Sequence, residues 1–397
     1  MKTYYSKQIV SHQGIIEGYI NIDQGKIVGL ERGKPNGDFI DLSEQVIYPG
    51  FLDIHVHGWG TGSYALENTV AAIEAMSFDM AKEGVTGFLA TTMTDSLAQT
   101  QRYIETGNQA YHKPMKGAHF LGLHLEGPFI NPKQKGMQKE AHCLTPDLDI
   151  MKSLYHLQTD KSMIKLMTMA PELDPSMQVI QFCQAHNIQV SAGHTEIGLE
   201  DLAKMKDYGV GGMTHMFSGM KGFHHRDLGS VGAALYCDDI YCEFAKQTGI
   251  TVKHEAFDLV YRLKGPDKIF MTTDCLGLAK VQKPTYHYVR QVTFVPHDEY
   301  LLLKHDDGKE EKIYFDDYQA IRQVELSYID SIKNMCKHTA VSPMAIAKMC
   351  SQNPAEYIHL GKQKGKIMCG YDADLTILDK EMNVFATMVA GTMVYQR

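Results

Sequence analysis

Tyr48-Pro49-Gly50-Phe51-Leu52-Asp53-Ile54-His55-Val56-His57-Gly58 is an apolar run that ends in two histidines two residues apart. Side chains two apart on a β-strand point to the same face. His55 and His57 are therefore expected side by side at a strand's end, with Gly58 opening the turn that follows. Two neutral imidazoles at that spacing supply half of a metal site. The same pair could also be a solvated histidine face, because short motif matches carry false positives. The rest of the chain decides between these readings by where it places other ligand-type residues.

Working outward, helical and strand patterns alternate. The periodicity predicts a helix over 69–82, then strands over 84–94, 118–129, 163–169, 188–195, 210–217, 239–245 and 268–273, with helical stretches between them. Together with the opening strand these make eight. The fold class expected is α/β, a (β/α)8 TIM-type barrel, whose chemistry sits at the C-terminal strand ends. His55 and His57 close strand one, Glu126 strand three, His194 strand five, His215 strand six and Asp274 strand eight. One such residue alone would pass as structural. Six at one rim point to a metal centre.

The ends of the chain read differently. Short strand candidates fill residues 1–47, punctuated by the Asn36-Gly37 turn, and Gly370–Asp379 and Val384–Tyr395 offer partners for them. A small β-sandwich domain built from 1–47 and 359–397 is expected to close around a barrel spanning 48–358. With 397 residues, 44% hydrophobic and 22% charged, the chain is long enough for such a main domain and satellite. The formal charge of −8 with no basic run argues against nucleic acid as a partner. No apolar stretch is long enough to span a membrane. The eight scattered cysteines form no C-x-x-C, and Met1–Val10 carries no signal-peptide pattern, so reduced thiols in the cytoplasm are expected.

Several of these motifs resemble a known family. The opening P-G-F-L-D-I-H-V-H-G and closing G-Y-D-A-D-L are similar to two signatures of the amidohydrolase superfamily. More narrowly, His124-Leu125-Glu126-Gly127-Pro128-Phe129, Ala192-Gly193-His194-Thr195, Thr214-His215-Met216-Phe217 and Thr272-Thr273-Asp274 resemble the N-acetylglucosamine-6-phosphate deacetylases. The resemblance runs over about 40–280 and resumes from about 326. It implies that Glu126, His194 and His215 hold the metal common to the family. It further implies that His55 and His57 add a second ion bridged by Glu126, and that Asp274 is the catalytic base and acid. The cofactor implied is one or two divalent ions, zinc or iron; the ligand types do not choose between them.

By the same resemblance, Met137, Gln138, Ser218, Gly219, Arg226, Thr251 and Leu326 are the substrate-binding positions. Arg226 aligns with an arginine that reaches the sugar phosphate of a neighbouring subunit, which implies a homodimer. Three departures stand out: Ser218-Gly219 replaces an Asn-Ala pair, Gln247-Thr248-Gly249-Ile250-Thr251 lacks a phosphate-binding histidine, and Lys280–Arg322 is long and charged. Within the last segment a hairpin is expected over 300–315, turning at Asp306-Asp307-Gly308. The segment is either a surface elaboration, a roof over the pocket or a face toward a partner subunit. The expected substrate is N-acetylglucosamine 6-phosphate. The alternatives are N-acetylgalactosamine 6-phosphate, an unphosphorylated acetamido sugar, or sugar binding without catalysis. A cyclic-amide hydrolase would want a lysine at the end of strand four, where Met169-Ala170-Pro171 offers none.

Overall fold

Burial on both faces is what lets a parallel strand read as a continuous apolar run, and eight such runs form one parallel sheet here. Its strands are Phe51–Val56, Val85–Thr91, His119–Glu126, Ile164–Met169, Gln189–Ala192, Val210–Met213, Tyr241–Ala245 and Ile269–Thr272, neighbours in chain order. The computed structural model describes residues 1–246, 249, 251–287 and 290–397. Gln247, Thr248 and Ile250, part of one of the sequence departures, lie outside the described residues. Helices Val70–Ala81, Leu97–Ala110, Leu148–His156, Gln178–Ala185, Leu199–Met205, Gly229–Tyr236 and His254–Lys264 separate the strands. Their starts follow residue chemistry: Thr69 accepts from the Ala72 N–H, and Asp147 from those of Asp149 and Ile150.

The sheet curls into a barrel whose last seam is made by fewer bonds than a ladder. The Asp274 N–H donates to His55 O (2.8 Å) and the His57 N–H to Cys275 O (2.8 Å). The Tyr328 hydroxyl lies 3.1 Å from Leu52 O and 3.2 Å from Met271 O, across the same seam. Strands five and six stop at Ala192 and Met213, short of the histidines expected within them. The reason is backbone conformation. His194 (φ +48°), His215 (φ +33°) and Asp274 (φ +48°) adopt left-handed geometry, which ends each strand. Non-glycine residues there carry strain, and such strain clusters at functional sites.

Both chain ends meet in an eight-stranded mixed sheet. Val46–Pro49 pairs antiparallel with Leu375–Leu378, in the register Pro49 opposite Leu375 and Val46 opposite Leu378. The opening and closing sequence signatures are thus neighbours. Ile9, Ile20, Ile27, Ile47, Leu375, Ile377 and Met388 form the core of this sheet.

Thr285–His287, Val292–Pro296, Tyr300–His305 and Glu310–Tyr314 form a four-stranded antiparallel sheet. The last two strands are the expected hairpin; the Gly308 N–H closes its turn on His305 O (2.9 Å). Phe294, Leu301, Leu303 and Ile313 bury against Leu278, Val281, Ile321 and Val324, beside the loop that follows Asp274. Glu325 ties that loop down. Its carboxylate accepts from the N–H groups of Leu276 (2.7 Å), Gly277 (3.1 Å) and Leu278 (2.8 Å). Among the described residues, no helix is long and apolar enough to cross a membrane.

Replacing Glu325 strands those three N–H donors. An unsatisfied buried donor costs about 1–3 kcal/mol, so Glu325→Ala should lower the unfolding free energy by about 2 kcal/mol or more. Denaturant unfolding of the two proteins measures it; a difference within about 0.5 kcal/mol would show that the clamp adds nothing.

Candidate metal centre

The mouth of the barrel gathers five of the six rim residues around one carboxylate. Glu126 ends strand three, and the Nε2 atoms of His194 and His215 each lie 3.1 Å from its Oε1. His55 Nε2 lies 3.5 Å from the same oxygen, and His57 Nε2 lies 3.4 Å from Oε2. Asp274 Oδ1 completes the ring at 3.4 Å from His55 Nε2 and 3.2 Å from His57 Nε2. All four histidines and Glu126 are buried, whereas the Asp274 side chain is 32% exposed and marks the open side.

Hydrogen bonds on the far side of each ring set its tautomer. Nδ1 of His57 meets Thr91 O (3.2 Å), that of His194 meets Gln134 O (2.9 Å), and that of His215 meets Ser218 O (3.0 Å). His55 Nδ1 meets Glu243 Oε1 at 2.7 Å. A carbonyl or carboxylate oxygen can only accept, so each Nδ1 carries the proton and each Nε2 turns a lone pair inward.

Such lone pairs need a cation. His194 Nε2 and His215 Nε2 stand 3.1 Å apart, and among the described residues the buried His55 Nε2 has no hydrogen-bond partner. Two triads, His55/His57/Glu126 and Glu126/His194/His215, each bring their ligand atoms within 4.8 Å of one another. The 3.1 Å edges are near the roughly 3.3 Å expected between ligands about 2.0–2.1 Å from a tetrahedral zinc ion. Both triads fit a divalent ion.

Charge reinforces the fit. Burial alone would raise the Glu126 carboxyl, but the four imidazoles hold it well below the usual range. Asp274 behaves likewise beside His55 and His57. Burial alone would also lower His57 and His215; the carboxylates more than offset this and push His57 up to about 10 and His215 up to about 9.

The other sequence-predicted positions fall into two groups. Gln138 is buried, donates to Glu126 Oε2 (2.6 Å), and has its own carbonyl held by the Thr94 N–H (2.9 Å). Ser218 contributes its backbone oxygen to His215. Gly219 has to be glycine: at φ +57°, a Cβ would sit 2.9 Å from His194 Nδ1. Leu326 (φ +65°) is half-buried next to Glu325. Met137, Arg226 and Thr251 are exposed. The Arg226 Nε–H donates to its neighbour His225 (3.0 Å).

Sequence reasoning missed the supporting residues Glu243, Asp53 and Thr91. Asp53, raised to about 7 by burial, accepts from the Thr273 hydroxyl (2.6 Å) and joins strand one to the Asp274 turn. For Glu243 and Asp53, a charge inside an otherwise apolar strand was the available signal.

The amidohydrolase family model matches residues 46–394. The chain belongs to the amidohydrolase family. That superfamily is metal-dependent, in keeping with the two triads. The N-acetylglucosamine-6-phosphate deacetylase of Bacillus subtilis is 30% identical over 394 residues, covering 98% of this chain and 95% of the relative. The N-acetylgalactosamine-6-phosphate deacetylase of Escherichia coli O157:H7 is 23% identical, covering 98% of each chain. The crystal structure of N-acetylglucosamine-6-phosphate deacetylase from Thermotoga maritima superposes with a TM-score of 0.78 at 28% identity, covering 98% of each chain.

Metal ligands bind only when deprotonated, so ion affinity in this amidohydrolase falls as pH falls. With His55, His57 and His215 all raised by the carboxylates around them, zinc loading at pH 7.5 should release protons. Calorimetric titration in buffers of different ionisation enthalpy measures this. Zinc uptake with no proton release would contradict the electrostatics described.

Proposed function

We propose that this amidohydrolase removes the acetyl group from an N-acetyl amino sugar phosphate, with N-acetylglucosamine 6-phosphate as substrate and glucosamine 6-phosphate and acetate as products. The observation that carries the reading is the placement of Asp274. It is the one member of the ligand ring that opens to solvent, and it lies within 3.4 Å of two histidines. The extent of the match to deacetylase relatives supports the same chemistry.

Glu126, His194 and His215 would hold one divalent ion, zinc or iron, and His55, His57 and Glu126 a second. A bound ion of this kind supplies Lewis acidity toward the amide carbonyl and acidifies water to a pKa of about 7. The rest is the work of the chain's own groups. Asp274, ionised at neutral pH, takes the proton of the attacking water on its carboxylate. It returns that proton to the sugar nitrogen as the C–N bond breaks, so the leaving group departs as an amine. Gln138, hydrogen-bonded to Glu126, fixes the carboxylate from the substrate side.

Arg226 is the cation proposed for the sugar phosphate, reaching the site of a second subunit. Its exposed loop borders an apolar groove of about 440 Å³ lined by Phe223, Leu228, Tyr236, Leu259 and Leu263. Phe223 is 63% and Tyr236 71% exposed, and large exposed apolar patches mark interaction surfaces. This supports a homodimer formed through that face. Eight free cysteines suit the reducing cytoplasm proposed as its compartment.

Asp274→Asn should lower turnover by about 10²–10⁴-fold while substrate still binds, as expected when a general acid–base is lost; wild-type turnover would remove Asp274 from the mechanism. Assayed on phosphorylated and plain acetamido sugars, Arg226→Ala should raise KM far more for the phosphorylated ones. A wild-type enzyme indifferent to the phosphate would leave only the deacetylase part of the proposal standing.

A further inference from the structure

Three of the four inward-facing histidines rest their Nδ1–H on backbone carbonyls. His55 alone rests on a side chain, the carboxylate of Glu243, and at the shortest distance, 2.7 Å. Glu243 sits mid-way along the seventh strand, fully buried, and reaches across the barrel interior to the first strand.

Its surroundings are not those of a structural carboxylate in this molecule. Glu325 receives three backbone N–H groups over both oxygens. Asp53 receives the Thr273 hydroxyl and the N–H groups of Thr273 and His55, also over both oxygens. Glu243 puts one oxygen against His55 and the Thr272 hydroxyl (2.9 Å), and its Oε2 has no hydrogen-bond partner among the described residues. No lysine or arginine forms an ion pair with it among them either. A buried carboxylate is costly unless paired or linked to a metal. Among the described residues, the titratable group it hydrogen-bonds is the imidazole whose other nitrogen, Nε2, is itself buried without a hydrogen bond.

We propose that Glu243 is the positioning residue that makes the His55 side of the centre a second cation site, by fixing the ring's tautomer and strengthening its Nε2 as a donor. A carboxylate behind a metal-binding histidine does both, whereas a backbone carbonyl supplies less charge. The half-site built on His194 and His215 has no such support and binds independently of Glu243. The inference rests on the two-ion reading above and adds the residue on which the second ion depends.

The test is zinc binding by the full chain after stripping with a chelator, followed with a competing chromophoric chelator and by elemental analysis. Wild type should take two zinc ions per chain. Glu243→Gln, which keeps the shape and loses the charge, should hold the first with unchanged affinity and the second roughly 10–100-fold more weakly. The metal-free variant should melt at the wild-type temperature. Thr272→Val, which removes only a hydrogen bond to Glu243, should weaken the second ion by a smaller factor and serves if Glu243→Gln does not fold. Equal affinity for both ions in Glu243→Gln and wild type would overturn the role of Glu243. Equal weakening of both sites would also overturn it, as a general structural effect. A wild-type chain that binds a single ion would instead overturn the two-ion reading itself.

Discussion

A carboxylate buried at the mouth of a barrel loses the water that would stabilise its charge, and the surroundings of Glu126 answer that loss. Four imidazole nitrogens stand 3.1–3.5 Å from its oxygens. Each ring is held from behind at Nδ1, which turns its Nε2 inward toward the carboxylate. The constraint reaches into the backbone. His194 and His215 leave the sheet in left-handed turns, and Gly219 stays bare beside the His194 ring. Remove the central charge and none of these local costs has a return.

The barrel was legible because its strands are buried on both faces and three of its helices begin at the Thr69, Ser96 and Asp147 caps; residue type and spacing carry both signals. The ligand ring was legible for a related reason: histidines, a glutamate and an aspartate stood at the ends of apolar runs. What stayed hidden is set by contacts distant in sequence. Gln138 reads as a loop residue available to a sugar, yet its amide is engaged with Glu126 and Thr94. Glu243 lies inside Tyr241-Cys242-Glu243-Phe244-Ala245, where only the oddity of a charge in a buried strand hints at a partner 188 residues earlier. Glu325 ends an amphipathic helix and looks like surface until the loop after Asp274 folds onto it. In the 280–322 segment Asp306-Asp307-Gly308 announces one hairpin, while Thr285–His287 is too short for a pattern to form.

The positions proposed to meet the substrate are organised with less redundancy than the candidate metal centre. The ligand cluster is fixed by buried hydrogen bonds on every member, whereas Arg226 and Thr251 stand on exposed loops. Changes at such positions cost little stability. A barrel of this kind can therefore alter which sugar it accepts while its hydrolytic centre stays intact.

The pairing of Val46–Pro49 with Leu375–Leu378 has a consequence for biosynthesis. The first of these strands is translated some 326 residues before the second, the difference between positions 375 and 49. At roughly 5–20 residues per second that is a wait of roughly 15–65 s. Throughout it, a strand that leads directly into the metal-binding run has one edge unpaired, and open edges invite pairing with other chains. That edge stays open to other chains until Leu375–Leu378 emerges, so the pairing acts as a lock that only the distant strand can close.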